Sequence, residues 1–240
     1  NINRGGYKSA YSAAEVVLDT RERLIKLFNY SNCNNVIFTS NITYSLNFII
    51  KGLLKPGDHC IVTSMEHNAV MRPLMQMHKK GVEFTKVKCD TEGRLNPKDI
   101  EENIKENTRA VIMTHASNVC GTIMPIYEVG EICKKNSIKL VVDSAQTAGA
   151  FNIDMKAMNI DGLAFTGHKG LLGPQGIGGL IITDEMAEMM EPLVSGGTGS
   201  MSDSEEIPPF MPDKFEAGTI NIPGVFGLNA ALKYVEKEGI

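Results

Sequence analysis

Seven short runs rich in β-branched residues punctuate the chain: VIFT (36–39), CIVT (60–63), FTKVK (84–88), AVIMT (110–114), KLVV (139–142), LAF (163–165) and LIIT (180–183). Helix-patterned segments lie between several of them, at 43–51, 69–80, 97–105 and 126–135. VIFT, LVV and LIIT are continuously apolar rather than alternating, as strands buried on both faces must be. This alternation predicts an α/β fold of three α/β/α layers around a mostly parallel sheet. Ahead of the first run, residues 9–29 place Ala13, Val17, Leu24, Leu27 and Phe28 on a helical stripe. LLKPGD (53–58) reads as a turn, and the Gly/Ser/Pro-rich stretch 195–219 as a loop long enough to be functional. With 240 residues the chain can build one sizeable domain.

Composition excludes some partners. A net charge of −4 without any basic run leaves no footprint for nucleic acid. No apolar run approaches the roughly 20 residues that span a bilayer, and no signal peptide opens the chain. The five cysteines form no CxxC pair; Cys33, Cys60, Cys89 and Cys133 sit in or beside apolar segments and read as reduced thiols of a cytoplasmic protein. An opening Asn1 and a helical pattern running to Ile240 are those expected of a fragment of something longer.

Open parallel sheets bind ligands at the carboxyl ends of their strands. The residues placed there are Thr39 to Thr43, Glu66-His67-Asn68, Ser117-Asn118, Asp143 to Gln146, and Thr166 to Lys169. The last group opens TGHKGLLGPQGIGG (166–179), whose lysine and glycines lack the Gly-Lys-Ser/Thr order of a phosphate-cradling nucleotide loop. The set matches instead the needs of pyridoxal phosphate: an amine for a Schiff base, a carboxylate for the ring nitrogen, and a hydroxyl-bearing helix start for the phosphate. Lys169 follows one strand, Asp143 ends another, and Gln146 is near enough to reach the same ring.

VVDSAQTAG and FTGHKGLLGPQGIG resemble the signature of class V aminotransferase-type enzymes, especially the NifS/SufS-like cysteine desulfurase family. SMEHNAV, THASNVCGTIMPI, KFEAGTINIPG and the opening NINRGGYKSAYSAA are similar to the same family. The resemblance implies a mixed, mostly parallel sheet of the fold-type I transferase large domain spanning residues 1–240. It makes Lys169 the Schiff-base lysine and Asp143 the partner of the ring nitrogen. His67 would stack on the ring and serve as proton shuttle; Asn118 and Gln146 would face the phenolic oxygen. Thr43, Thr166 and His168 would hold the phosphate, and Thr219 would reach it from the partner of a homodimer. The implied reaction removes sulfur from L-cysteine, leaving alanine and an enzyme persulfide, with a sulfur-acceptor protein and iron–sulfur cluster assembly downstream.

Departures from the family pattern matter. A Gly-Thr-Thr or Gly-Ala-Thr turn is replaced by Asn41-Ile42-Thr43, where a bulky Ile42 leaves less room for backbone approach. The family's N-terminal strand and its C-terminal small domain, which carries the persulfide cysteine and the substrate-carboxylate arginine, are expected outside these 240 residues. Cys120 is not that cysteine, and its residue type suggests a small apolar filler.

Other readings compete. Lys169 alone is an ordinary loop lysine, and Asp143 within DSAQ resembles a helix cap. His67 alone is a polar residue at a strand end. His59, His78 and His115 have no partners at metal spacing, so no metal site is expected. The methionines at 186, 189, 190, 201 and 211 suit a core or subunit contact. Selenocysteine lyase, aminotransferase or epimerase chemistry would use the same cofactor, and a cofactor-free α/β binding module would need none of it.

Overall fold

The computed structural model describes residues 8–239, so the start of the NINRGGYKSAYSAA motif lies outside the described residues. In chain order the elements are α1 (Lys8–Leu27), β1 (Val36–Thr39), α2 (Ile42–Leu53), β2 (His59–Thr63), α3 (Asn68–His78), β3 (Glu83–Val87) and α4 (Pro97–Glu102). They continue with β4 (Thr108–Thr114), α5 (Ile126–Lys135), β5 (Lys139–Asp143), β6 (Gly162–Thr166), β7 (Gly178–Ile182), α6 (Asp184–Met189) and α7 (Ile222–Glu238). One sheet runs in the order β1-β7-β6-β5-β4-β2-β3. All neighbours pair in parallel except β7, which runs antiparallel to both β6 and β1. The reason is local: residues 167–177 join β6 to β7 through turns, without the helical crossover that parallel strands need.

Each buried strand feeds two cores in alternation. Leu140, Val142, Leu163 and Phe165 point to one core, together with Leu24, Val129 and Leu228 from α1, α5 and α7. Val141, Ala164, Leu180 and Ile182 point to the other, with Leu46, Leu74 and Met186 from α2, α3 and α6. That is the expected three-layer arrangement, and it explains why these runs are apolar on both faces.

Small differences from the sequence reading have physical causes. β7 begins two residues early, at Gly178 and Gly179, because a Cβ on Gly179 would lie 2.6 Å from the Phe165 ring; these glycines are packing requirements inside a strand. The six-residue α6 is capped by the Thr183 hydroxyl, which accepts from Met186 N at 3.3 Å. Between α6 and α7 the chain forms only turns and loops. Arg21 of α1 ties this loop to the sheet: its Nη2 pairs with Glu216 at 2.7 Å, while Glu216 Oε1 accepts from Phe38 N at 2.7 Å.

Candidate active site

At the carboxyl edge of the sheet the register sets Thr114 beside Asp143, Asp143 beside Ala164, and Thr166 opposite Gly178. Above this edge opens a cavity of about 530 Å3. It gathers Thr43, His67, Asn118, Asp143, Gln146, Thr166, His168 and Lys169, eight of the nine residues expected from the sequence. Thr219 is not among them; it lines one pocket under α1 and another beside β1.

Lys169 and Asp143 come together because two turns lock backbone to backbone. A Cβ on Gly149 would lie 2.5 Å from the Gly170 carbonyl oxygen, and one on Gly170 would lie 2.5 Å from that of Ala148. Gly149 also has φ +80°, a conformation that disfavours any side chain. Leu172 N donates to Lys169 O at 2.8 Å and Gly173 N to Gly167 O at 2.7 Å, turning the chain tightly behind the exposed lysine. Asp143 is buried at the end of β5, and its Oδ1 accepts from Ala145 N at 2.9 Å. Residues 145–150 form turns rather than a helix, so DSAQ closes a side-chain turn and caps nothing.

Two helix starts face the cavity. Asn41 caps α2 by accepting from Tyr44 N at 3.2 Å, with an extended backbone at φ −176°. Ile42 packs into the core while still lining the cavity, and exposed Thr43 stands beside it in the first turn. The N-terminus of this helix favours an anion. His67 caps α3: its Nδ1 accepts from Ala69 N at 3.0 Å, which assigns the proton of the neutral ring to Nε2. Thr166 Oγ1 and His168 Nδ1 are bonded to each other at 3.1 Å.

Burial pushes the Asp143 carboxyl above the ordinary carboxylate range, opposed by the Ala145 N–H and by the neighbouring basic groups His67 and Lys169. An accessible amine beside a desolvated carboxylate and an anion-binding helix start is equipped to capture a phosphorylated carbonyl compound.

The remaining sequence readings sort as follows. His59 bonds Thr108 and Thr85, His78 bonds Val82 O, and His115 bonds Thr147. Among the described residues no group of His, Cys, Asp or Glu could hold a metal ion, and no helix is long and apolar enough to cross a membrane. Cys120 is not an apolar filler. It is exposed, and hydrogen bonds with Ser117 and Thr122 bring its thiol down to about 7. The sequence hid this because only the folded loop puts those hydroxyls around the sulfur. Tyr44 and Thr114 also line the cavity and went unnoticed; Thr114 closes a strand at the same edge, which was the available signal.

The family model for aminotransferase class-V matches residues 1–240. The chain is 35% identical over 243 residues to a probable cysteine desulfurase of Methanothermobacter thermautotrophicus, covering 100% of this chain and 60% of that protein. It is 36% identical over 247 residues to a probable cysteine desulfurase of Pyrococcus abyssi, covering 100% of this chain and 61% of that one. Among solved structures, the apo cysteine desulfurase of Thermococcus onnurineus NA1 superposes with a TM-score of 0.92 at 34% identity, over 100% of this chain and 61% of that chain. The chain thus spans about three-fifths of the length of these relatives.

Proposed function

The chain belongs to the aminotransferase class-V family, and from that premise we propose that it is the cofactor-holding large domain of a pyridoxal-phosphate-dependent cysteine desulfurase. One observation carries the reading: Lys169, Asp143 and the start of α2 converge on a single cavity from separate segments. The donor set fits the group. A buried carboxylate suits a ring nitrogen, an exposed amine suits a carbonyl, and a helix start with Thr43, Thr166 and His168 suits a phosphate.

When bound, pyridoxal phosphate supplies a carbonyl that captures amines and a ring that withdraws electrons from the captured amino acid. Lys169 Nζ is the amine that holds the cofactor and gives way to the substrate's own amine. Asp143, desolvated at the cavity floor, holds a proton at the ring nitrogen. His67 would lie against the ring and could move a proton through Nε2, while Asn118 and Gln146 would hold the phenolic oxygen. Thr219 would reach the phosphate of the partner's site in a homodimer.

The names of the relatives direct the choice of reaction: sulfur removal from L-cysteine, leaving alanine and a persulfide that a sulfur-acceptor protein drains toward iron–sulfur cluster assembly. The thiol that takes up sulfur, the arginine for the substrate carboxylate and the first strand of the sheet are assigned outside these 240 residues. Free cysteines suit the reducing cytoplasm.

The test is to load the full-length protein with pyridoxal phosphate and assay L-cysteine for alanine and, with a reductant, sulfide. Equal yields of both are expected. Cofactor loading without alanine would reject the reaction and point to another amino-acid substrate; no loading would reject the cofactor.

A further inference from the structure

One group under the cavity has no task in the proposed chemistry. Glu66 stands in the short loop between β2 and α3, immediately before His67. Its Oε1 accepts from Thr63 Oγ1 at 2.6 Å, and the same hydroxyl accepts from Met65 N at 3.1 Å, folding the carboxyl back against the end of β2. Oε2 is shielded from solvent and makes no hydrogen bond. The titratable groups facing it are Cys60 from β2 and Asp143 from β5, with His67 next in its own loop. Asp143 is a carboxyl too, so ionising both would set two like charges in one desolvated region.

Asp143 has the stronger claim to the charge. It receives the Ala145 N–H and faces the basic side chains of His67 and Lys169. Glu66 receives one side-chain hydroxyl, and its buried Oε2 makes no hydrogen bond, so an ionised Oε2 costs far more than a neutral one. We propose that Glu66 is a positioning residue of this site, carrying a proton on its carboxyl so that Asp143 is the carboxylate the cavity presents. Burial drives the Glu66 carboxyl up to about 8; the Thr63 hydroxyl and the backbone N–H groups of Thr114 and Thr63 oppose that rise, and the Asp143 charge adds to it. The consequence for the ring nitrogen rests on the proposed role of Asp143, whereas the proton on Glu66 does not.

The experiment is an infrared comparison of full-length, cofactor-free wild-type protein with Glu66→Gln across pH 5 to 9, with thermal midpoints recorded in parallel. A protonated-carboxyl band present at pH 7 in wild type, fading near pH 8 and missing from the variant, is expected. The wild-type midpoint should fall from pH 5 until about pH 8, where the band fades, and that fall should be lost in the variant. If Glu66→Gln does not fold, Thr63→Val replaces it: with the opposing hydroxyl gone, the band must persist to higher pH than in wild type. No such band at pH 7, or a Thr63→Val band that fades at lower pH, overturns the inference. Because no cofactor is present, either result is independent of whether pyridoxal phosphate binds at Lys169.

Discussion

Two carboxyl groups lie in one desolvated region beneath the cavity, and the donors around each decide which one ionises. For Glu66 the sign of the pH dependence follows directly. Its carboxyl titrates at about 8 when folded against an ordinary 4.5, so its contribution to stability is complete below the unfolded value. Above that value the unfolded chain releases the proton while the folded chain keeps it, and stability falls until pH passes the folded value. At about 1.4 kcal/mol per pKa unit the loss amounts to several kcal/mol, read by urea unfolding at pH 5 and pH 8, and Glu66→Gln should show little of it. Cys120 makes a second expectation at this scale. At neutral pH a short pulse of iodoacetamide, followed by peptide mass spectrometry, should label Cys120 well ahead of Cys60 and Cys133, whose thiols burial pushes up. The sequence showed none of these differences, because hydroxyl neighbours and desolvation are properties of the folded loop.

At the scale of elements, the site depends on how two turns are held together. Gly149→Ala adds a methyl group 2.5 Å from the Gly170 carbonyl at a residue with φ +80°. It should cost at least about 2 kcal/mol in urea unfolding and weaken cofactor loading, since it parts the Asp143 turn from the Lys169 loop. The Arg21–Glu216 pair, with side chains 7% and 9% exposed, fastens α1 to the loop before α7. Glu216→Ala should cost roughly 3–5 kcal/mol by leaving a buried guanidinium unmatched. Strands such as VIFT and KLVV were legible because burial on both faces leaves a continuous apolar run. The reversed direction of β7 was not, since a turn-only connection replaces the expected crossover, and its two leading glycines carry no strand propensity. The helix at α6 is too short for periodicity to reveal; its cues were the Thr183 cap and the acidic Asp184 and Glu185 of its first turn.

Taken as a whole, the molecule concentrates its chemistry on one edge because every parallel strand ends there. That rule marked the edge segments, the family resemblance chose Thr43, His67, Asn118, Asp143, Gln146, Thr166, His168 and Lys169 within them, and these eight line one cavity. Thr219 falls outside it and lines two other pockets. The chain spans about three-fifths of its relatives; under the proposed function, sulfur capture falls to the remaining length and the hold on the cofactor to the residues of this cavity. The most direct test of that hold is borohydride reduction of the full-length protein after incubation with pyridoxal phosphate, followed by peptide mass spectrometry. The account predicts one stable pyridoxyl adduct, on Lys169, and none in Lys169→Ala; an adduct confined to another lysine, or no adduct at all, would contradict it.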